Sequence, residues 1–356
     1  MSQTDLMATE EAQALREAVR ALLAKKSGPE AVRAAMASPL GYDDKLWSTL
    51  CDQIGVAALA IPEDYDGAGA TLAESCVVLE ELGRTLTPAP MLGSAVLAAQ
   101  ALLLTGNEAA CRELLPGIAS GATLAAVAWC GEDGVWPPAC TVEGGKLSGR
   151  AHYVLDGDLA DVVLVLARTS DGPALFAVES GDVRRQSVTT MDPTRRMAVL
   201  EFALTPARRL DRAGYPVGLL RAIAVVALAA EQVGGAARAL ELTVEYSKQR
   251  RQFGRPIGSF QALKHRMADV HVHVEAARSA LYAAVHALVS HDDDLAAAVM
   301  TARFVCSEAY EHAAAEMIQL HGGIAITWEH DAHLYFKRAH GSAALFGATD
   351  GWLSAM

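Results

Sequence analysis

The chain has 356 residues, of which 52% are hydrophobic and 20% are charged. This composition excludes a disordered chain, and the length predicts two to three domains or one large bundle with an insert. Acidic residues outnumber basic ones by 42 to 30, and the resulting net charge of −12 argues against general nucleic-acid binding. No stretch approaches roughly 18 consecutive apolar residues, so we expect no membrane span.

The N-terminal segment lacks the basic and apolar regions of a secretory signal, and it does not resemble a transit peptide. Six cysteines are scattered along the chain without a Cys-x-x-Cys pair. We therefore expect a cytoplasmic protein with no metal site, in which the cysteines are small buried hydrophobic residues.

Apolar residues recur at helical spacing through the N-terminal part of the chain. The first helix is predicted to begin near Thr9, where acidic residues in the first turn suit the helix dipole. After a Pro- and Gly-rich turn at residues 62–69, a further helix is predicted to end near Gly83, and another covers residues 91–104. The pattern predicts an N-terminal helical domain at residues 1–118.

The sequence changes to short β-branched runs, separated by Gly, Pro and Asp, between Gly121 and Pro206. Residues 143–146 (Glu-Gly-Gly-Lys) are typical of a hairpin turn between two such runs. This pattern predicts a central β domain at residues 119–208, for which periodicity leaves a barrel and a sandwich open.

The helical period returns in long segments after Pro216. Their approximate limits are 216–250, 258–290, 293–320 and 328–345. Four antiparallel helices of this length predict a C-terminal four-helix bundle at residues 209–356. The fold class is therefore mainly α with a central β domain.

Residues 246–261 read Tyr-Ser-Lys-Gln-Arg-Arg-Gln-Phe-Gly-Arg-Pro-Ile-Gly-Ser-Phe-Gln. This string predicts a helix that ends in cations, a turn, and a second helix capped by Ser259. Cations at a helix end suit the helix dipole, which is one explanation for them. Because Arg250, Arg251 and Arg255 surround a turn beside a new helix N-terminus, an anion site is the other.

The full string resembles the bundle signature Arg-x-x-Phe-Gly-x-x-Ile-x-x-x-Gln of the acyl-CoA dehydrogenases. A second block, residues 319–331, resembles the Gln-x-x-Gly-Gly-x-Gly turn of that family, with Ala325 in place of the last glycine. Residues 46–69 look like its first domain. The resemblance spans about residues 8–345, and it implies a three-domain fold of helical domain, β-barrel or sandwich, and four-helix bundle.

The resemblance also implies that FAD lies between the β domain and the bundle, with its adenosine diphosphate (ADP) end reaching a neighbouring subunit. Carried over by motif, Arg250 pairs with the pyrophosphate and Phe253 packs on the cofactor. Two glutamines hydrogen-bond the cofactor and two glycines let the backbone approach it, whereas Gln252 is either a cofactor contact or a solvated helix-end residue. The predicted cofactor-binding residues are Arg250, Gln252, Phe253, Gln261, Gln319, Gly322 and Gly323.

Family members remove the α-proton of an acyl-CoA thioester with a glutamate, which takes one of two positions, while a hydride leaves for the flavin. The first position corresponds here to Phe346-Gly347 and the second to Ala224. Because neither is acidic, we predict no catalytic residue in this chain. Glu241, Glu245 and Asp350 are weak candidates for a substitute base.

The β domain departs from the family as well. In residues 149–157, Leu155 replaces the threonine that faces the flavin and Tyr153 replaces a tryptophan. A leucine has no hydrogen-bond donor to offer the ring. The losses therefore fall on the flavin-ring side, whereas the ADP-side motifs persist.

This asymmetry predicts the base-less subunit of a heterotetrameric (α2β2) acyl-CoA dehydrogenase, which shares FAD with a homologous partner subunit. Relatives of this kind act on polycyclic, sterol-derived acyl-CoA thioesters, so the resemblance implies lipid metabolism by β-oxidation and steroid degradation. It also implies electron-transfer flavoprotein as the electron acceptor. Two alternatives stay open: an active homo-oligomer with an unrecognised base, and a flavin-free structural or regulatory relative.

Overall fold

The structure is a computed structural model that describes residues 6–132, 134, 138–212 and 214–347. Its N-terminal helices are α1 (Glu10–Lys26), α2 (Pro29–Ala37), α3 (Asp44–Ile54), α4 (Leu72–Thr85), α5 (Ala99–Leu103) and α6 (Glu108–Ala119). A π-helical stretch at Met91–Ala98 continues into α5. The predicted start of α1 is confirmed, because the Thr9 side chain accepts a hydrogen bond from the Ala12 amide. The sequence pattern does not predict α2 or α6, which are short at 9 and 12 residues.

The strands are β1 (Ala125–Ala128), β2 (Cys140–Glu143), β3 (Lys146–Leu155), β4 (Val162–Thr169), β5 (Gly172–Glu179), β6 (Arg184–Val188), β7 (Met197–Pro206) and β8 (Arg208–Arg209). They form one connected mixed sheet in the order β6-β7-β3-β2-β4-β5-β8, and β1 pairs in parallel with β4. The predicted hairpin is confirmed, since Glu143 pairs with Lys146 across Gly144 and Gly145, which have φ of 55° and 75°. The sequence leaves a barrel and a sandwich open, and the described strands form this single mixed sheet.

Strand β4 is buried on both faces, which explains its continuous apolar run. Val163 and Val165 point into a core within the β domain. Leu164 and Leu166 point the other way, into the large core that the sheet shares with the helices. The strand therefore joins the two cores. Five of the six cysteines are buried, as expected for small hydrophobic residues, and Cys130 is half-buried.

The C-terminal helices are α7 (Val217–Gln249), α8 (Gln261–Ser290), α9 (Leu295–His321) and α10 (Ala332–Ala344), and a hairpin of β9 (Arg251–Gln252) and β10 (Arg255–Pro256) joins α7 to α8. These limits confirm the four predicted bundle helices. The predicted Ser259 cap is wrong, because a short 3₁₀ turn precedes α8 and the Ser259 hydroxyl donates to the carbonyl of Pro256 at 2.7 Å. The exact domain limits of 1–118, 119–208 and 209–356 stay a prediction.

Helix α7 is long and apolar enough to cross a membrane by length and composition, with a mean hydropathy of 1.6 over its most apolar window. However, 83% of that window is buried inside the protein. The core helix of a compact protein has the same properties, so this helix is weak evidence for a membrane span.

Helices α4 and α7 pack so closely that their backbones touch. A Cβ added to Gly234 of α7 would lie 1.9 Å from the carbonyl oxygen of Glu80, and one added to Gly83 of α4 would lie 2.2 Å from that of Glu231. The sequence pattern predicts that α4 ends near Gly83, and the helix ends two residues later, at Thr85. Gly83 itself lies inside the last turn, where it provides space for α7.

A buried group of charged and polar side chains connects the β domain, α7 and α10. We call it the Glu231 cluster, and it consists of Asp192, Thr194, Arg195, Glu231 and Arg338. Arg338 of α10 contacts Asp192 at 2.9 Å and Glu231 at 3.3 Å, while Arg195 donates to Glu231. Removal of one of its two acids or two arginines would leave an uncompensated charge inside the protein, so the cluster fixes the three elements relative to each other.

We expect Gly234→Ala to lower the free energy of unfolding by about 3 kcal/mol, because the added methyl group must push α4 away from α7. The matched control is Gly218→Ala in the first turn of α7, where an added Cβ meets no atom within 4 Å. Alanine is the better helix former, so this variant gains up to about 1 kcal/mol. Urea unfolding followed by circular dichroism measures both. Equal stability of the two variants would contradict the backbone contact.

Candidate functional site

Residues 246–261 form the end of α7, the β9–β10 hairpin and the start of α8. The carbonyl of Arg250 accepts a hydrogen bond from the amide of Ile257 at 2.8 Å, which closes the hairpin. The turn residues Phe253 and Gly254 have φ of 53° and 77°, a left-handed conformation that is uncommon for an aromatic residue. The turn projects the Phe253 side chain, which is 90% exposed.

The second motif lies at the end of α9, beside the end of α7. Gly322 follows the last residue of α9 with φ 65° and ψ −145°, a conformation that favours glycine. The Tyr246 hydroxyl of α7 donates to the carbonyl of His321 at 3.3 Å, and the two rings stack with centroids 4.3 Å apart. The end of α7, the start of α8 and the end of α9 therefore meet at one end of the bundle. This basic bundle end carries the residues that the motifs predict at the cofactor, which are Arg250, Gln252, Phe253, Gln261, Gln319, Gly322 and Gly323.

The basic bundle end is positively charged although the whole chain is acidic. Arg250, Arg251 and Arg255 are exposed, and among the described residues no acidic side chain forms a salt bridge with them. Arg251 donates to the carbonyl of Gly254 at 2.9 Å, and the Arg255 guanidinium lies 4.0 Å from the centroid of the Phe260 ring. Neither interaction neutralises the charge. Because arginine forms bidentate hydrogen bonds with phosphates, this end suits an anionic group such as a pyrophosphate.

The remaining predicted residues of this end are accessible to a ligand. Gln252, Gln261 and Gln319 are exposed, and the Gln261 amide lies within hydrogen-bonding distance of the His265 ring, at 3.2 Å. A Cβ added to Gly322 or Gly323 would meet no atom within 4 Å, so open space lies beside the backbone of this turn. Exposed amide side chains and an open glycine turn are donors that fit a dinucleotide, and their role at the cofactor stays a prediction.

A cavity of about 320 Å³ lies between the β domain and the end of α10. The resemblance implies a flavin ring between these same two parts of the chain. The described residues that line the cavity are Trp129, Cys130, Gly134, Tyr153, Thr190, Met191, Asp192, Met197, His340, Gly341, Ala344, Leu345 and Phe346. Aromatic, methionine and aliphatic side chains make up most of this wall, as in many small-molecule sites.

The two expected glutamate positions are packed into the protein. Ala224 is fully buried in α7, and Phe346 lies edge-to-face against Trp129 with ring centroids 5.4 Å apart. Among the described residues that line the cavity, the one acid is Asp192. Its carboxylate is 2.9 Å from Arg338 and accepts a hydrogen bond from the Thr194 amide, so it is held by a cation and a donor.

Glu241 and Glu245, the two described candidates for a substitute base, are not among the residues that line this cavity. Glu241 accepts hydrogen bonds from Arg84 at 2.8 Å and from Arg238 at 3.0 Å. Burial raises the pKa of Glu241, but these two arginines outweigh that effect and lower the pKa below its usual value. Glu245 is exposed and lies 3.8 Å from Arg238. Asp350 lies outside the described residues.

Leu155 stands where the family has the threonine that faces the flavin, and Tyr153 stands where it has a tryptophan. Leu155 is 6% exposed and packs on Gly93, since a Cβ added to Gly93 would lie 3.0 Å from the Leu155 Cβ. The Tyr153 hydroxyl donates to the carbonyl of Glu132 at 3.0 Å. Neither side chain offers a free donor in place of the missing threonine.

Arg303 is a site residue that the motifs do not reveal. Its side chain is 1% exposed and donates to the carbonyls of Ala343, Leu345 and Gly347 at 2.7, 2.8 and 2.6 Å. Burial lowers its pKa to about 10, and in the described part of the chain no carboxylate forms an ion pair with it. Arg303 thus fixes the segment that carries Phe346 into the cavity wall. A lone arginine in the apolar run of α9 is the signal that could have revealed it.

The fold and the site define a helical–sheet–bundle protein whose bundle end suits an anionic ligand, and comparison with known proteins agrees. Residues 9–122 match the family model "Acyl-CoA dehydrogenase, N-terminal domain", and residues 224–352 match "Acyl-CoA dehydrogenase, C-terminal domain". The chain is 48% identical over 342 residues to acyl-CoA dehydrogenase IpdE2 of Mycobacterium tuberculosis. The alignment covers 94% of this chain and 93% of that protein.

Two solved structures extend the similarity to the fold. The ChsE4–ChsE5 complex from Mycobacterium tuberculosis has a TM-score of 0.91 at 32% identity, over 98% of this chain and 97% of its own. The Tcur3481–Tcur3483 steroid ACAD G363A variant has a TM-score of 0.89 at 32% identity, and the match covers 97% of this chain and 96% of that chain. The chain therefore belongs to the acyl-CoA dehydrogenase family of flavoprotein oxidoreductases.

We expect the neutral imidazole of His321 to make stability depend on pH. Burial lowers its pKa to about 4, since the ring stacks on Tyr246 and lies 4.5 Å from the tilted ring of His330. The Nδ1–H donates to the carbonyl of Met317 at 2.8 Å, which raises the pKa but does not outweigh burial. In the unfolded state the His321 imidazole has a pKa of about 6.5, so between pH 6.5 and pH 4 it binds a proton there but stays neutral in the folded state. The free energy of unfolding therefore falls by roughly 2 to 3 kcal/mol on this account as the pH falls from 6.5 to 4.

His321→Phe retains the stack but removes the titration, so its free energy of unfolding should change less with pH over this range. The control is His271→Ala, an exposed histidine of α8, which should follow the wild type. Urea unfolding at pH 7, 6, 5 and 4 measures the difference. Parallel curves for wild type and His321→Phe would contradict the assignment.

Proposed function

We propose that this chain is a subunit of an FAD-dependent acyl-CoA dehydrogenase, which catalyses α,β-dehydrogenation of an acyl-CoA thioester. In this proposal the chain has no catalytic glutamate of its own and completes the FAD site of a homologous partner subunit. One contrast carries the proposal. The basic bundle end has exposed, unpaired arginines, whereas the cavity has no carboxylate available as a base among its described lining residues.

The basic bundle end fits the ADP half of FAD. Arg250 would pair with the pyrophosphate, and the exposed Phe253 ring would pack on the cofactor. Gln252, Gln261 and Gln319 would supply hydrogen bonds from their exposed amides. Gly322 and Gly323 would admit the cofactor to their backbone, because nothing lies within 4 Å of a Cβ built there. When bound, FAD supplies the acceptor for the hydride that leaves the β-carbon of the acyl group.

The cavity does not fit the flavin-ring half in the same way. Leu155 is packed on Gly93, and Asp192 is paired with Arg338. A homo-oligomer would repeat this incomplete half in every site. A partner that contributes the ring half and the glutamate would make a complete site with the basic bundle end of this chain.

Two relatives support the heteromer and the substrate class. One similar structure is a complex of ChsE4 with ChsE5, and another is described as a steroid ACAD of two components. We infer an α2β2 assembly that acts on a steroid-derived acyl-CoA thioester in steroid degradation. By family resemblance, electron-transfer flavoprotein accepts the electrons, and the complex is cytoplasmic.

The experiment compares the chain alone with the chain co-expressed with a homologous subunit that retains the glutamate. Alone, the chain should be colourless and inactive. The co-purified heteromer should be yellow, with about one FAD per pair of chains by absorbance after protein denaturation. A yellow, active homo-oligomer would contradict the proposal. A chain that binds neither the partner nor FAD would favour the flavin-free alternative.

Arg250→Ala in this chain should weaken FAD binding by the heteromer by roughly 10- to 100-fold, because it removes a charge-assisted hydrogen bond to a phosphate. The charge-matched control is Arg184→Ala, an exposed arginine of the β domain with a side chain 81% exposed. Its FAD affinity should equal that of the wild type. Flavin fluorescence on titration of the apo-heteromer measures both constants, and equal affinities for the two variants would contradict the role of Arg250.

A further inference from the structure

The cavity between the β domain and α10 is built like a ligand site although it has no available base. We propose that it binds a rigid, apolar ring system that carries a carbonyl or hydroxyl oxygen at one end, and that it does so without oxidising the ligand. The inference rests on the proposed function in one respect, which is that the flavin ring belongs to the partner subunit's half of the site.

The walls of the cavity favour a flat, apolar ligand. Trp129 and Phe346 meet edge-to-face and present aromatic surface, and Met191 and Met197 add flexible thioether side chains. Met191 is 52% exposed, which is unusual for so apolar a side chain beside a cavity. The volume of about 320 Å³ lies at the lower end of the range for small-molecule sites.

One polar group in the wall is positioned to orient a ligand. The Nδ1 of His340 lies 2.8 Å from the Glu311 carboxylate and therefore carries a proton, so Nε2 is the ring nitrogen left for a ligand. The ring also packs on Phe336 with centroids 4.3 Å apart. A carboxylate on one nitrogen and an aromatic ring on the face fix the orientation of the imidazole, as in other histidines held by a carboxylate.

The other polar side chains of the wall already have partners. The Thr190 hydroxyl donates to the carbonyl of Asp192, the Tyr153 hydroxyl donates to the carbonyl of Glu132, and the Asp192 carboxylate is paired with Arg338. Among its described lining side chains, the cavity thus offers one oriented hydrogen-bonding group, His340, in an apolar wall. One hydrogen-bonding side chain suits a ring system with one oxygen. A flavin ring has several polar atoms along one edge, and most of them would be buried there without a partner.

An anionic ligand is disfavoured for a second reason. No lysine or arginine is among the described residues that line the cavity, so a phosphate or carboxylate would be buried without a counter-charge. Two cations lie close to the wall, and both have partners: Arg338 is paired with Asp192 and Glu231, and Arg303 donates to the carbonyls of Ala343, Leu345 and Gly347. These bonds hold Phe346 in place, so the cavity is shaped before a ligand arrives.

The probe is tritiated 5α-androstan-3-one, a rigid fused-ring ketone with a single oxygen at one end, and the measurement is equilibrium dialysis against the full chain, alone and in the heteromer. We expect saturable binding of one probe per copy of this chain. Ala344→Trp fills the cavity from its exposed rim and should abolish binding, and Met191→Trp serves as a second filling variant if the first does not fold. Binding that survives both filling variants, or no saturable binding to folded wild type, would overturn the proposal.

His340→Ala should weaken the probe by about fivefold to tenfold, the loss expected for one hydrogen bond. His340→Gln keeps a hydrogen-bonding amide and should recover most of that loss, which a purely structural role would not predict. His271→Ala on α8 is the control and should bind the probe normally. Equal affinities for wild type and His340→Ala would remove His340 from the site and overturn the proposed recognition of the oxygen.

The two proposals can fail separately. In the heteromer, Ala344→Trp should abolish probe binding and leave the FAD content unchanged, whereas Arg250→Ala should lower the FAD affinity and leave probe binding unchanged. If FAD displaces the probe from the chain alone, the cavity is a flavin site, and both the ring-ligand proposal and the shared-cofactor proposal are wrong. If the probe binds but no partner associates, only the shared-cofactor proposal fails.

Discussion

Glu231 holds three parts of the chain together, because its backbone and its side chain contact different elements. Its carbonyl lies where a Cβ on Gly83 would approach to 2.2 Å, so α4 packs on α7 at this distance only with glycine at that position. Its carboxylate accepts hydrogen bonds from Arg195 of the β domain and Arg338 of α10. A buried carboxylate between two guanidinium groups resists displacement, since any movement leaves an unpaired charge in the interior. The helical domain, the sheet and the bundle therefore share one geometry that is set in the middle of α7.

This geometry separates the two candidate sites along the bundle. Arg303 holds the cavity wall, and Gln319 lies at the basic bundle end on the same helix. Their separation of 16 positions along the helix corresponds to about 24 Å at 1.5 Å per residue. Under the proposed function, each site is therefore one half of a composite site, and each needs the complementary half from another chain. The basic charge at one end and the apolar wall at the other suit two different kinds of ligand contact.

Local patterns in the sequence predict most of the fold but little of its interior chemistry. Helical period, turn residues and the two motifs gave the bundle helices, the hairpin at Gly144-Gly145 and the residues of the basic bundle end, because these features depend on neighbours in the chain. The close approach of Gly83 to α7 could not be predicted, because its partner Glu231 lies about 150 residues away in the chain. Arg303 and Arg338 escaped notice for the same reason, since their partners lie on other elements. All three residues contact groups that no local spacing connects to them.

The absence of a base at the family positions is supported by packing as well as by residue identity. A glutamate at position 224 would place a carboxylate in a site that is now fully buried among apolar side chains, at the cost of an unpaired interior charge. Gly347 has φ of 94°, a conformation that a glutamate rarely adopts, and its carbonyl accepts a hydrogen bond from Arg303. The Phe346 ring packs edge-to-face against the ring of Trp129. Restoration of the base would therefore require changes in the surroundings as well as one substitution. This packing is consistent with the proposed function, in which the chain is a subunit whose partner supplies the glutamate.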